Sequence, residues 1–224
     1  MKSGVIGIAT GDLTTVDSFS EEIEKGDDSL ASCVEIVSEI RSADGELLGQ
    51  FGRAAMDQYV DTNSVEINGN SIRTGEKSEI RTQYTEFLLS VDGFVIVKNS
   101  GGIFALDLIG KHENVSIERA EVNLNSFISG HSGFTPWKVG FYGKSGNADN
   151  GVVHGNEIWD DPELGPLLES QRKNQLGIDI EWRGYEIKMM LTESGYLNIY
   201  QPGDFGNTGF MRLVRDEIVP HISH

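Results

Sequence analysis

The sequence predicts an α+β fold: a mainly antiparallel sheet with helices packed on one face. Three observations predict it. The dipeptides Asp44-Gly45, Asn68-Gly69 and Asp92-Gly93 each separate two strand-like runs, a strong short-range signal for a β-hairpin. Glycine is abundant, with 27 residues, and proline scarce, with 5, which suits a sheet joined by tight turns. Two stretches, residues 101–115 and 207–219, carry apolar residues at helical spacing directly after strand-like segments. At 224 residues and 38% hydrophobic, the chain is long enough for a packed core and is read as a single domain over 1–224.

Taken in order, Val5 to Thr10 reads as a short buried strand. In "DSFSEEIEKG", Ser18 followed by Glu21 is a capping-box pattern and Gly26 a fitting stop, so one or two helical turns are expected. One strand then ends near Arg41 and the next begins near Glu46, around Asp44-Gly45. "RAAMDQYVDTN" fits a helical turn or a strand. "SEIRTQYTEFLLSVDGFVIVKN" alternates and turns at Asp92-Gly93. Ile103, Leu106 and Ile109 give the next segment a helical stripe, so a helix is favoured there, with a further strand as the alternative. Ser116 to Ile128 alternates and reads as a strand. "KVGFYG" is a short strand, and the Gly- and Asn-rich run Gly143 to Asn156 reads as a mobile loop. A helix is expected across "WDDPELGPLLESQRKNQLG", with acidic residues and Pro at its start and Gly177 at its end. Ile178 to Leu191 is a hairpin turning at Arg183-Gly184, and "GYLNIYQPG" is the next strand. Phe210, Leu213, Val214 and Ile218 form the apolar face of a last helix that Pro220 ends.

Two segments share an order. Residues 79–115 and 180–219 each run strand, tight turn, strand, helix, which points to an internal repeat of a strand–strand–helix unit related by a pseudo-two-fold. The order is topologically similar to the two halves of the saddle in TATA-binding-type domains. The likeness is one of element order, and no residue motif accompanies it.

The 35 acidic residues outnumber 18 basic ones, for a formal net charge of −17. Such a surface is soluble and repels nucleic-acid phosphates, except through a local basic patch. It also fits a source with high internal salt. The lone Cys33 allows no internal disulfide and reads as a small core residue. The apolar run near Met1 is too short for a signal peptide or a membrane span, so the expected location is the cytoplasm, with no membrane association.

Five stretches carry residues that could do chemistry. Asp179, with Glu186 and Lys188 on the following strand, has the Asp…Glu-x-Lys layout and resembles restriction-endonuclease-like enzymes over that short span. The resemblance implies two carboxylates holding Mg²⁺ and a lysine positioning the attacking water. The same residues also read as the wet face of a hairpin whose other face is Ile178, Ile180, Trp182, Tyr185 and Ile187. His154, Glu157, Asp160 and Asp161 are dense enough for a metal, but the aspartates sit where a helix cap is expected, so no metal site is assigned. Gly143-Lys144-Ser145 lacks the earlier glycine of a phosphate loop, and the N-terminal glycines are wrongly spaced for a dinucleotide fingerprint, so no cofactor is expected outside the Mg²⁺ reading. Phe134, Trp137, Phe141, Tyr142 and Trp159 flank the Gly- and Asn-rich run. Buried, they are core; exposed, Phe134, Trp137, Tyr142 and Trp159 are the candidate binding residues.

The functional class favoured is therefore a non-enzymatic soluble binding protein that acts through a macromolecular partner, protein or nucleic acid. The alternative is a Mg²⁺-dependent nuclease built on Asp179, Glu186 and Lys188. The sequence does not set the oligomeric state.

Overall fold

In a computed structural model the described residues build one twelve-stranded antiparallel sheet with four α-helices. Residues 1–26, 28–131, 134–145 and 148–223 are described. In chain order the strands and helices are β1 (Ser3–Thr10), β2 (Phe19–Lys25), β3 (Asp28–Arg41), β4 (Leu47–Asn68), β5 (Ser71–Ser90), β6 (Phe94–Val97), α1 (Phe104–Glu113) and β7 (Ser116–Arg119). There follow α2 (Leu124–Gly130), β8 (Thr135–Ser145), β9 (Ala148–His154), α3 (Leu164–Ser170), β10 (Arg172–Trp182), β11 (Tyr185–Thr192), β12 (Tyr196–Gln201) and α4 (Asn207–Leu213). Across the sheet the order is β2-β3-β4-β5-β6-β1-β12-β11-β10-β8-β9, with β7 pairing on β1. The mainly antiparallel α+β class is thus present. No helix among the described residues is long and apolar enough to cross a membrane.

Every hairpin dipeptide turns where the sequence places it. Asp44-Gly45 joins β3 to β4, Asn68-Gly69 joins β4 to β5, Asp92-Gly93 joins β5 to β6, and Arg183-Gly184 joins β10 to β11. Gly69, Gly93 and Gly184 all hold positive φ, which a side chain would resist.

The helices do not share one face, and this corrects the expected layering. Val5, Phe87, Leu89, Val95 and Val97 pack with Phe104, Ala105, Leu106 and Ile109 of α1. Ile6, Leu88, Phe94 and Ile96 point the other way, into a core with Phe127 of α2, Leu168 of α3 and Phe210 and Leu213 of α4. The reason lies in the central strands. All four residues of β6 are buried, and successive residues alternate faces, so both faces of the sheet centre must be covered. This two-sided arrangement also departs from a saddle with helices on one side.

Five local differences follow from competing patterns. The segment expected to open with a helix at Ser18 is instead the edge strand β2, where the Ser18 hydroxyl accepts a hydrogen bond from Ile36 N at 2.9 Å rather than capping a helix. The strand expected to Ile128 stops at Arg119, and Asn123, whose side chain accepts from Ser126 N, caps α2 instead. The expected mobile loop, Gly143 to Asn156, is largely the β8–β9 hairpin, with Val139 opposite Val153; its residues 146–147 lie outside the described residues. The helix expected to run to Gly177 ends at Ser170, and β10 takes the rest. Cys33 is exposed rather than part of the core.

Candidate binding face

Among the described residues, the C-terminal half of the sheet (β8, β10, β11, β12) is covered on one side only. Val139, Phe141, Leu176, Ile178, Ile180, Ile187, Met189, Leu191, Leu197 and Ile199 enter the core beneath α2, α3 and α4. The alternate residues therefore point to the opposite side. On that side the helix is α1, which packs against β3, β4, β6 and β7, in the N-terminal half.

A bulge shapes this open face. Gly177 opposes Lys138 and Ile178 opposes Pro136, so Trp137 is the extra residue of β8. Its indole lies across Gly177. A Cβ at that position would come within 2.7 Å of the ring, so only glycine lets the indole approach the strand so closely. Tyr200 meets the indole edge-to-face at 5.8 Å between centroids, and Lys188 Nζ stands 5.0 Å from the ring centroid. Met190 fills the space between, 3.8 Å from Lys138 Nζ and 4.0 Å from the Tyr200 hydroxyl. The result is a platform of two aromatic rings, a thioether and two ammonium groups, with Tyr200 46% exposed. The indole Nε1–H is buried and meets no acceptor among the described residues.

Beside the platform, the hairpin β10–β11 displays its polar residues on the same side. Lys188 lies directly across from Asp179, at 3.5 Å, and Glu186 across from Glu181. Asp179, Glu181, Glu186, Lys188 and Gln201 line a shallow depression of about 300 Å³. Asp179, Glu186 and Lys188 thus share one exposed face. Lys188 is shared between a carboxylate and the Trp137 ring, and Glu186 faces another carboxylate rather than the Asp179–Lys188 pair. Among the described residues no group of three or more His, Cys, Asp or Glu is placed to hold a metal ion.

The four candidate aromatics fall in different places. Trp137 is on the platform. Tyr142 is further along the same strand, with its hydroxyl 2.9 Å from both Glu193 carboxylate oxygens and Arg172 5.1 Å from its ring centroid. Arg172 pairs with Glu193 and with Glu121. Desolvation, then the Glu193 hydrogen bond, raise the Tyr142 pKa above its ordinary value; the Glu193 bond raises that of Arg172 in turn. Phe134 and Trp159 meet edge-to-face at 6.4 Å on the helix-covered side. Lys173 lies 5.9 Å from the Trp159 ring centroid and donates to the Glu169 carbonyl; burial lowers its pKa. Sequence reasoning did not assign Tyr200, Lys138 or Met190 to this face. The signal for Tyr200 was available, since Leu197 and Ile199 point inward and Tyr200 must point out. The bulge that redirects Trp137 has no comparable signature.

No family model matches the chain, and no curated protein matches it.

Proposed function

We propose that the protein is a non-enzymatic binding module whose open C-terminal sheet face takes a basic segment of a protein partner. The observation that carries this is the half-exposed Trp137–Tyr200 platform set directly against a depression lined by Asp179, Glu181 and Glu186. Aromatic rings supply contact area at low entropic cost, and clustered carboxylates attract a Lys or Arg side chain. The acidic balance of the whole chain adds long-range attraction for a basic partner and works against nucleic acid. The nuclease reading gains less support, because Lys188 is held between Asp179 and Trp137 while Glu186 faces Glu181.

The finer architecture belongs here too. We infer that residues 79–115 and 180–219 are two versions of one unit. Supporting this, β6 and β12 flank β1 on either side, both antiparallel to it and so parallel to each other.

The test is a fluorescence titration of the whole protein with a Lys/Arg-rich peptide and, separately, a single-stranded oligonucleotide. Saturable quenching by the peptide, lost in Trp137→Ala and Tyr200→Ala, is expected. Binding of the oligonucleotide in place of the peptide contradicts a protein partner. Mg²⁺-dependent cleavage of the oligonucleotide, abolished in Glu186→Gln, restores the nuclease.

A further inference from the structure

The hairpin β4–β5 runs far beyond the rest of the sheet. Its ladder continues from Gly49↔Ser90 to Asn68↔Ser71, while β3 leaves β4 at Met56 and β6 leaves β5 at Phe87. The last eight pairs, Asp61↔Ser78 to Asn68↔Ser71, form a two-stranded arm about 25 Å long. A bare two-stranded ribbon is at best marginal in water. This one also carries apolar side chains on the face shared by odd residues of β4 and even residues of β5: Val65 is 63% exposed, Ile67 82%, Ile72 71% and Tyr84 57%.

The free edge of β5 indicates what covers it. Lys98 N donates to the Glu86 carbonyl, so even-numbered residues of β5 direct their backbone groups away from β4. From Tyr84 to Ile72 those groups meet no neighbouring strand among the described residues. We propose that this edge pairs, antiparallel, with the same edge of a second copy of the chain, across a two-fold axis at Ser78.

The side chains choose that register. With the axis at Ser78, Lys77 of each copy faces Glu79 of the other, Thr74 faces Thr82, Ile72 faces Tyr84, and Arg81, which pairs with Glu79 of its own strand, faces Gly75. With the axis one residue earlier, Lys77 faces Lys77 and Arg73 faces Arg81. With it one residue later, Glu79 faces Glu79 and Lys77 faces Arg81. Like charges directly opposite destabilise a ladder and opposite charges support it, so of these three registers only the Ser78 axis is self-complementary. Pairing turns two marginal ribbons into one four-stranded ribbon. It also places the Ile72, Ile80 and Tyr84 side chains of both copies on one continuous face.

The experiment is sedimentation velocity on the whole chain with Cys33→Ser, which removes the exposed thiol. A dimer is expected. Lys77→Glu or Glu79→Lys alone should weaken it roughly tenfold or more, since each reversal sets like charges opposite one another on both sides of the axis. The double variant K77E/E79K should restore it. Lys77 is on the arm and Glu79 stands one pair before it, opposite Val60, and circular dichroism checks that the variants fold. Independently, Ser78→Cys in the Cys33→Ser background should form an intermolecular disulfide under mild oxidation. A monomer at every concentration overturns the proposal. So does a dimer that both single variants leave intact, or one that Ser78→Cys does not cross-link.

Discussion

Trp137 reaches the open face only because Gly177 has no side chain. Adding one methyl there pushes against ring atoms from 2.7 Å, and the bulged strand has little freedom to retreat. Gly177→Ala is expected to displace the indole, break its contact with Tyr200 and lower stability by about 1–3 kcal/mol. Near-ultraviolet circular dichroism reads the ring directly; an unchanged signal means the platform does not depend on this close approach. A second residue-scale prediction concerns the contacts between α2 and the chain end. His221 Nδ1 lies 2.9 Å from the Ser126 hydroxyl, with the His131 ring 5.6 Å away, and His131 Nε2 is 2.7 Å from Glu217. Burial, then the nearby His131, hold the His221 ring below its ordinary value of 6.5, with Glu217 opposing. The unfolded chain therefore binds the proton more readily. The His221 contribution is fully present above that ordinary value and is lost as pH falls below it towards the lowered folded value. Denaturant midpoints should drop with acidification more steeply for the native chain than for His221→Gln. Parallel curves would show that His221 carries none of the dependence.

At the scale of elements, α4 is the clearest case of legible structure. Phe210 and Leu213 of α4, and Val214 and Ile218 of the π-helical turn Val214–Ile218 that takes over where the α-helix was expected to run on to residue 219, are all fully buried. Phe210→Ala is expected to cost about 3–5 kcal/mol, measurable by urea unfolding; a loss under 1 kcal/mol would mean that α4 repacks freely. The hairpins were legible for a local reason, since each depends on two residues. The two-sided layering was legible in principle too, in the unbroken apolar run Phe94 to Val97, which no one-sided sheet needs. What misled was a local signal read without its neighbours. Ser18 and Glu21 make a capping box, but the strand β3 offers Ile36 N to the same hydroxyl. The alternation from Ser116 onward outlasts its strand because Asn123 starts a helix that alternation cannot show. The Gly- and Asn-rich run pairs as a hairpin because Val153 can pack inward. In the binding face, Asp179, Glu186 and Lys188 were legible as one side of a hairpin. The Trp137 bulge and the arrival of Tyr200 from β12 depend on register between distant strands and were not.

For the whole molecule the dominant quantity is charge. With a net charge of −17, native carboxylates repel one another at low ionic strength. Added KCl screens that repulsion, so the melting temperature should rise with salt; a flat or falling curve would show that the acidic surface does not limit stability. Such a surface also sets what the open face can attract, a basic partner. The chain has three tryptophans: Trp137 on the open face, Trp159 under the helix-covered side and Trp182 in the core. Their indole N–H resonances report separately in a ¹H–¹⁵N spectrum of the whole protein. On titration with a Lys/Arg-rich peptide the Trp137 resonance should shift progressively and saturate, while those of Trp159 and Trp182 stay in place. A Trp137 resonance that does not move, or one that moves only together with the two core indoles, would contradict the assignment of this face as the binding surface.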